Sequence, residues 1–357
     1  LSGFLIGQTI DLGAPKEKIP DRVIPLKLLY ALSGDSAIGY FFKNPSAPLF
    51  LSGDQSLLLS DQGQLLHFDQ GGKFKKNLQK VGEGPGEWAE TNGILASGAG
   101  VCVVCDSPNK LLVLDGKLSF NKEIRLDKSL DWLRVFKVAP ADGSLMSATI
   151  DFAKASSGVK ALKVELKHFN PQGQVRNSGL VFSHRIFMNV VHPEKGGLMI
   201  QMNMVDPFWY ATNLQKKRLL INSLESYRLE LVDLQSERII KILKRKMNRQ
   251  PWRKNEDVKN KSKKPDPDYF MDINALASDG ERFWVFTAEI DKQKGVRVDL
   301  ISSEGEYLDR FWLALPGLDR PDAYGPNQIG LSKDRIAWIH QDEEDNPMVS
   351  VFAYDLK

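Results

Sequence analysis

The sequence predicts an all-β fold of repeated four-stranded units, and three observations carry that prediction. Helix signals are scarce, because few stretches keep an apolar period of 3.6 residues together with caps. Short apolar runs instead alternate with Gly/Asp/Ser/Asn turns, the pattern of strands and hairpins. Two turn types recur along the 357 residues, one six times and the other five. Units of about 40–50 residues with four strands each indicate a β-propeller, here six-bladed.

The first turn type follows an apolar pair and precedes a strongly apolar strand. It reads FLSGDQSLLLSD near Asp54, ILASGAGVCVVCD near Ala99, VAPADGSLMSA near Asp142 and VVHPEKGGLMIQM near Lys195. It returns as ALASDGERFWVF near Asp279 and GLSKDRIAWIH near Lys333. These are expected to be the hairpins between the first two strands, a and b, of each blade. The second type reads HFDQGGKF (67–74), VLDGKLSF (113–120), HFNPQGQV (168–175), LVDLQSERI (231–239) and LISSEGEYL (300–308). It fits the hairpin between strands c and d. The sixth unit ends after MVSVFAYDLK and has no strand d. The spare strand RVIPLKLLYAL, residues 22–32, is expected to complete it and so close the ring without an open edge. On this reading residues 1–21 are an N-terminal extension. Residues 22–357 form a single propeller domain with insertions at about 205–226 and 244–268.

In a propeller the a–b and c–d hairpins emerge on one face and the b–c and d–a connections on the other. The long segments 149–160, 205–226, 244–268, 289–297 and 341–347 all fall on the second face, in blades 3 to 6. Long loops on a rigid scaffold are where binding usually resides, so this loop-bearing face is the expected site.

Hydrophobic residues make up 42% of the chain and charged residues 26%, enough apolar material for a large core. No run of 18 apolar residues occurs, which excludes a transmembrane helix. A net charge of +3 gives no global basic field, and no stacking platform or motif suggests nucleic acid. Charge is nevertheless segregated. Lys241 to Lys264 contains eleven Lys or Arg against Glu256 and Asp257, a local +9 that leaves −6 for the remainder. That segment is either a solvated loop or a patch for an anionic partner such as a polysaccharide, a lipid headgroup or an acidic protein. Its candidate binding residues are Arg245, Arg249, Trp252 and Arg253, with Trp252 placed to stack on a ligand or to anchor the loop. The aromatic segment MVDPFWYATNL adds Phe208, Trp209 and Tyr210, as a lid on the propeller or as a partner-binding patch.

Other motifs read as structural. Cys102-Val-Val-Cys105 lies in a β-branched run, so its thiols point to opposite sheet faces and are expected to be buried and free. The five histidines show no metal-binding spacing, and His67 and His168 hold similar places in the third strands of blades 1 and 3. QDEEDN (341–346) lacks the spacing of a calcium loop and suits a hairpin tip. No nucleophile elbow and no paired acids occur, so no catalytic residue is assigned. No cofactor is expected. A divalent metal near the central channel would need ligands drawn from several blades.

The connection after the first blade reads KVGEGPGEWAETNGI. Gly82, Gly84, Pro85, Gly86 and Glu87 match the Gly-x-Gly-Pro-Gly-Glu-Phe signature of bacterial six-bladed propellers resembling NHL-repeat proteins, with Trp88 in place of Phe. Without a following helix these glycines form no phosphate cradle. A tight d–a crossover is expected instead, in which Glu87 satisfies loop amides and Trp88 packs beneath them. CDSPNKLLVLDGKLSF and the basic loop before YFMDINALASDGERFWVFT also look like that family. The resemblance implies an exported protein, periplasmic, extracellular or on the outer surface, which suits a chain that begins at Leu1. It also implies binding as the function. The leading expectation is therefore a non-enzymatic binding or scaffold protein that holds a protein, glycan or small ligand on the loop-bearing face. The alternatives are a metal-assisted lyase or lactonase working at the channel mouth and a subunit of an extracellular or periplasmic assembly.

Overall fold

Leu57, Leu58, Leu59, Ser60 and Asp61 are buried without a break, as a strand covered on both faces requires. The same holds through most of Phe283–Ala288 and Leu229–Val232. Neighbouring sheets must therefore stack face to face, which is how propeller blades pack. The computed structural model describes the chain except residues 1–7, 14–20, 35–38, 98–99, 108, 127–134, 137–143, 149–156, 170–173, 192–198, 205–207, 250, 252–267, 319–323 and 357.

Three strands precede the first blade: β1 (Gln8–Asp11), β2 (Val23–Ile24) and β3 (Leu26–Ser33). Blade 1 comprises β4 (Ser46–Phe50), β5 (Leu57–Asp61), β6 (Gln64–Phe68) and β7 (Phe74–Asn77). Blade 2 comprises β8 (Glu90–Ser97), β9 (Gly100–Ser107), β10 (Asn109–Asp115) and β11 (Phe120–Arg125). Blade 3 has β12 (Val135–Phe136), β13 (Ser144–Ala148), β14 (Gly158–Phe169), β15 (Val175–Val191) and a further strand, β16 (Met199–Met204). Blade 4 is β17 (Trp209–Asn213), β18 (Arg218–Asn222), β19 (Arg228–Asp233) and β20 (Arg238–Lys244). Blade 5 is β21 (Ile273–Ser278), β22 (Arg282–Asp291), β23 (Gly295–Ser302) and β24 (Tyr307–Leu313). Blade 6 is β25 (Ile329–Leu331), β26 (Arg335–Gln341) and β27 (Pro347–Tyr354), with β3 as its outer strand.

These strands form six sheets, and the fold is an all-β six-bladed propeller. Each pair of neighbouring blades shares an apolar cluster. Leu58 and Leu65 of blade 1 pack with Val101 and Val103 of blade 2. Trp284 and Phe311 of blade 5 pack with Trp338 and Tyr354 of blade 6. Leu32, Val349 and Val351 of blade 6 meet Leu57 and Phe68 of blade 1. Neither Cys102 nor Cys105 forms a disulfide, and they are buried in different clusters, on opposite faces of blade 2. Burial pushes the Cys102 thiol up to about 12, so it stays protonated and inert.

The ring closes as the turn count requires. β3 pairs antiparallel with β27 from Tyr354↔Leu26 to Met348↔Ser33. Two other assignments are corrected. VVHPEKGGLMIQM does not open blade 4: Val191 and Met199 pair as ends of β15 and β16, an added hairpin on blade 3. Blade 4 opens on β17, and its first hairpin is residues 214–217, so most of 205–226 is blade rather than insertion. The stronger turn residues of 192–198 outweighed the plain LQKK of the true hairpin. The N-terminal extension is also more than a leader. β1 lies parallel to β20 as a fifth strand of blade 4, and β2 lies parallel to β24 on blade 5. β1, β2 and β3 thus line the outer edges of three consecutive blades, and four residues of β1 make ladder pairs.

Candidate functional site

On the loop-bearing face, side chains of blades 3, 4 and 5 meet around the connection between β18 and β19. Asn222 ends β18, and the connection to β19 carries Glu225 and Tyr227. Asn222 is fully buried, and its side-chain amide donates to the carbonyls of Ser226 (3.1 Å) and Arg228 (3.0 Å), which fixes this connection. The amide of Tyr227 donates to Asp272 Oδ2 at 2.8 Å, and the amide of Asp272 donates to the Glu225 carbonyl at 2.8 Å. Asp272 immediately precedes β21, so these two bonds tie blade 4 to the entrance of blade 5.

Arg249 lies in the d–a connection of blade 4 and reaches into this junction. Its Nε lies 3.1 Å from Asp272 Oδ1, and its Nη2 donates to the Phe270 carbonyl at 3.3 Å. Its guanidinium stands 5.2 Å from the ring centre of Tyr269, a cation–π contact. Glu225 approaches from the other side, 3.6 Å from Arg249 Nη2 and 3.5 Å from Arg185 Nη2 on β15. Burial raises the Asp272 carboxyl above its usual range and the Glu225 charge adds to this, while Arg249 and the Tyr227 amide oppose it. Pro251 and Tyr269 form an antiparallel bridge, so the two ends of the basic segment leave and return at one point.

Arg245 points elsewhere. It donates to Asp299 at 3.0 and 2.8 Å and to the Tyr307 hydroxyl at 2.8 Å, and that hydroxyl donates to Asp299 at 2.8 Å. Asp299 is fully buried. Arg310 joins it at 3.3 Å and also binds Glu289 at 2.9 Å, which Arg297 meets at 3.3 Å. Arg297 then reaches Asp21, where Lys294 and the Trp312 indole N–H hold the carboxyl down at about 2. This chain of charges links the blade 4–5 seam to the N-terminal segment.

The aromatic candidates divide. Phe208 is buried against Phe182 and His184 of blade 3. Trp209 is half-buried, and its indole N–H donates to the Ile273 carbonyl at 3.0 Å. Tyr210 packs on the blade 3–4 cluster. Trp209 and Tyr210 open strand a of blade 4 and Phe208 immediately precedes it, because that strand begins at the face carrying the d–a connections. Trp209→Phe should lower the unfolding free energy by about 1 kcal/mol, through a buried carbonyl left without its donor; urea denaturation checks this. Trp252 and Arg253 lie outside the described residues. The structure therefore brings Arg249 and Trp209 to the junction and separates Arg245 from them.

The glycine-rich loop forms its own unit between blades 1 and 2. Gly84 N–H donates to Glu87 Oε2 at 3.1 Å, and Trp88 is buried with its indole donating to Thr91 at 2.8 Å. The Gly86 φ of 73° lies in the left-handed region, where glycine costs least. Beneath it, fully buried Lys110 donates to the Gly84 carbonyl at 3.0 Å and to Glu123 at 2.9 Å. Pro85 sits at the outer bend between them.

Sequence reasoning missed Arg185, Glu225, Tyr269 and Asp272. They are up to 87 positions apart in the chain, and no spacing marks them as one group. Among the described residues no group of three or more His, Cys, Asp or Glu could hold a metal ion. No helix among them is long and apolar enough to cross a membrane.

A protein-family model described as a 6-bladed beta-propeller matches residues 53–153. No curated protein matches the sequence. Among solved structures, a Bacteroides fragilis protein inferred to be exported is similar at 12% identity and a TM-score of 0.48, covering 98% of this chain and 100% of that one. A gluconolactonase from Xanthomonas campestris is similar at 13% identity and a TM-score of 0.44, covering 94% and 91%. A luciferin-regenerating enzyme is similar at 14% identity and a TM-score of 0.42, covering 91% and 95%.

Proposed function

We propose that this propeller is a binding protein that holds an anionic partner on its loop-bearing face, at the junction of blades 4 and 5. The observation that carries this reading is the clamp at the base of the basic segment. Pro251 pairs with Tyr269, and Arg249 binds Asp272 beside them. A solvated loop of no consequence needs no such anchorage. Here a buried carboxylate and a guanidinium are used to fix where a cationic segment leaves the ring.

Internal pairing changes which cations are on offer. Arg245 and Arg249 are neutralised by Asp299 and Asp272, and the Lys241 ammonium donates to the Glu304 carbonyl. Lys244 and Lys246 are partly or largely exposed on the stem. With Arg253, Lys254, Lys259, Lys261, Lys263 and Lys264 of the segment they supply the attraction, and Trp252 supplies stacking. Binding of this kind is strong at low ionic strength and weakens with salt. We place it outside the cytoplasm, on the likeness of GEGPGEW to exported propellers.

The test is retention on immobilised polygalacturonate against immobilised dextran, eluted with a salt gradient. The native chain should be retained by the acidic matrix alone. Replacing Lys254, Lys259, Lys261, Lys263 and Lys264 by Gln should abolish most of that retention without altering the melting temperature. Equal retention of the two proteins, or none by either, overturns the reading.

A further inference from the structure

We propose that the outer edge of β16 is a pairing surface for a second copy of this chain, joining two blade 3 sheets antiparallel about a two-fold axis at Met202. The inference concerns the rim of the ring and is independent of the anionic-partner reading above.

A propeller blade does not need the hairpin of β15 and β16. Strands β12 to β15 already supply four, and β16 adds a fifth at the outer edge of blade 3. Among the described residues no strand pairs with its far edge. A row of unpaired backbone donors and acceptors is a template for another strand, and proteins blunt such edges with charge, proline, a bulge or a cover. The other five blades show these devices. β1 covers β20 on blade 4, and β2 lies on β24 of blade 5. β7 carries Lys75 and Lys76 at the edge of blade 1, and β11 carries Lys122, Glu123 and Arg125 at the edge of blade 2. β3, the outer strand of blade 6, carries Lys27 and a register shift beside Leu29. β16 reads MIQMNM, with no charge and no proline, and its ladder to β15 runs without a shift.

The sequence of β16 selects a second copy as the occupant. A two-fold axis sets a strand against itself, so any charged strand meets its own sign, and β16 has none to meet. Cross-strand partners share a face of a sheet. Met204, Met202 and Ile200 pair with Ile186, Met188 and Val190, so they continue the apolar face of β15 on which Ile186 and Met188 are buried. Gln201 and Asn203 take the opposite face, paired with Asn189 and Phe187. An antiparallel partner centred on Met202 then sets Met202 against its own copy, Ile200 against Met204, and Gln201 against Asn203. Every pair matches apolar with apolar or polar with polar. Centring on Gln201 instead would set Met199 against Asn203. The two five-stranded sheets become one of ten strands.

Six residues a side is well below the roughly 20–30 of a standard interface, so the dimer should be weak, with a Kd on the order of 10–100 µM. Sedimentation equilibrium of the full chain across that range should show the mass rising towards the dimer. In Gln201→Lys/Asn203→Lys, lysines face each other in both symmetric pairs, and the Kd should weaken by about tenfold or more. In Gln201→Lys/Asn203→Glu, each lysine faces a glutamate of the other copy, and the Kd should stay within about threefold of native. Backbone amide exchange of the native chain gives a reading that needs no substitution: residues 199–204 should gain protection as concentration rises. A native chain that stays monomeric, or concentration-dependent protection that falls elsewhere, overturns the proposal. So does a lysine–lysine variant that dimerises as the native chain does, or a lysine–glutamate variant as weak as the lysine–lysine one.

Discussion

Asp299→Asn should be among the most damaging single substitutions in the molecule, lowering the unfolding free energy by about 3–5 kcal/mol. Asp299 is fully buried and accepts hydrogen bonds from Arg245 and the Tyr307 hydroxyl, with Arg310 at 3.3 Å. The amide keeps the volume and removes the charge, so Arg245 is left as a largely buried cation without its counter-ion. Breaking one side of a buried pair is costly for this reason, even where the intact pair adds little to stability. Tyr307→Phe is the control. It removes one hydrogen bond to the same carboxylate and should cost only about 1 kcal/mol. Urea unfolding of the three proteins at one pH measures both differences. Similar midpoints for Asp299→Asn and Tyr307→Phe would show that Arg245 finds another partner or reaches water. The damage should also extend to the N-terminal segment, since Arg310, Glu289 and Arg297 connect Asp299 to Asp21. Faster proteolysis near residue 21 in Asp299→Asn is the corresponding local signature.

Leu32→Asp should prevent stable closure of the ring. Leu32 is buried in the seam between blades 6 and 1, among Val349, Val351, Leu57 and Phe68. It pairs with Val349 in the strand that closes the propeller. An unpaired carboxylate there loses the apolar burial and adds desolvation of a charge, at a cost of several kcal/mol. Leu29→Asp tests whether position or composition matters. Leu29 stands on the same strand but is 39% exposed, and the ladder shifts register beside it. Its substitution should change stability by no more than about 0.5 kcal/mol. Thermal melting with near-ultraviolet circular dichroism separates the outcomes. A cooperative melt in Leu32→Asp close to that of Leu29→Asp would mean that the other five seams hold the ring without this one.

Both predictions concern features of differing legibility. The closing strand was readable because it is an apolar run with no hairpin partner of its own, next to a last unit that lacks a strand. Asp299 was not readable. It occupies an ordinary strand position in GVRVDLIS, and nothing local marks an acid as the centre of a buried network. The same contrast runs through the candidate site. Arg249 was singled out for its place in a charge run, yet its role at the junction depends on Asp272, Glu225 and Tyr269. Arg245 stands four residues earlier in the same run and turns into the blade 4–5 seam. Sequence charge counts cannot distinguish an arginine aimed at solvent from one aimed at a buried carboxylate.

Blade 4 shows the limit from the other direction. The residues at 192–198 resemble the repeated hairpin in sequence, but the strands on either side of them, β15 and β16, pair with each other on the edge of blade 3. Turn chemistry fixes that a chain reverses and leaves open which sheet receives the returning strand. That choice belongs to packing: Phe208 and Leu219 complete the apolar cluster with Phe182 and Ile186, which commits β17 and β18 to the next blade.

The sequence by itself determined the architecture, six repeated sheets joined by a borrowed strand, because periodic apolar runs and turn residues act over a few positions. It also located the charge segregation, which is a property of composition. The tertiary structure alone shows that β1 and β2 pair with blades 4 and 5, that Arg245 and Arg249 serve different junctions, and that Glu225 lies between Arg185 and Arg249. Those outcomes depend on groups far apart in the chain meeting where water is partly excluded. Pairing there is set by desolvation and geometry, and neither is written in any local pattern of residues.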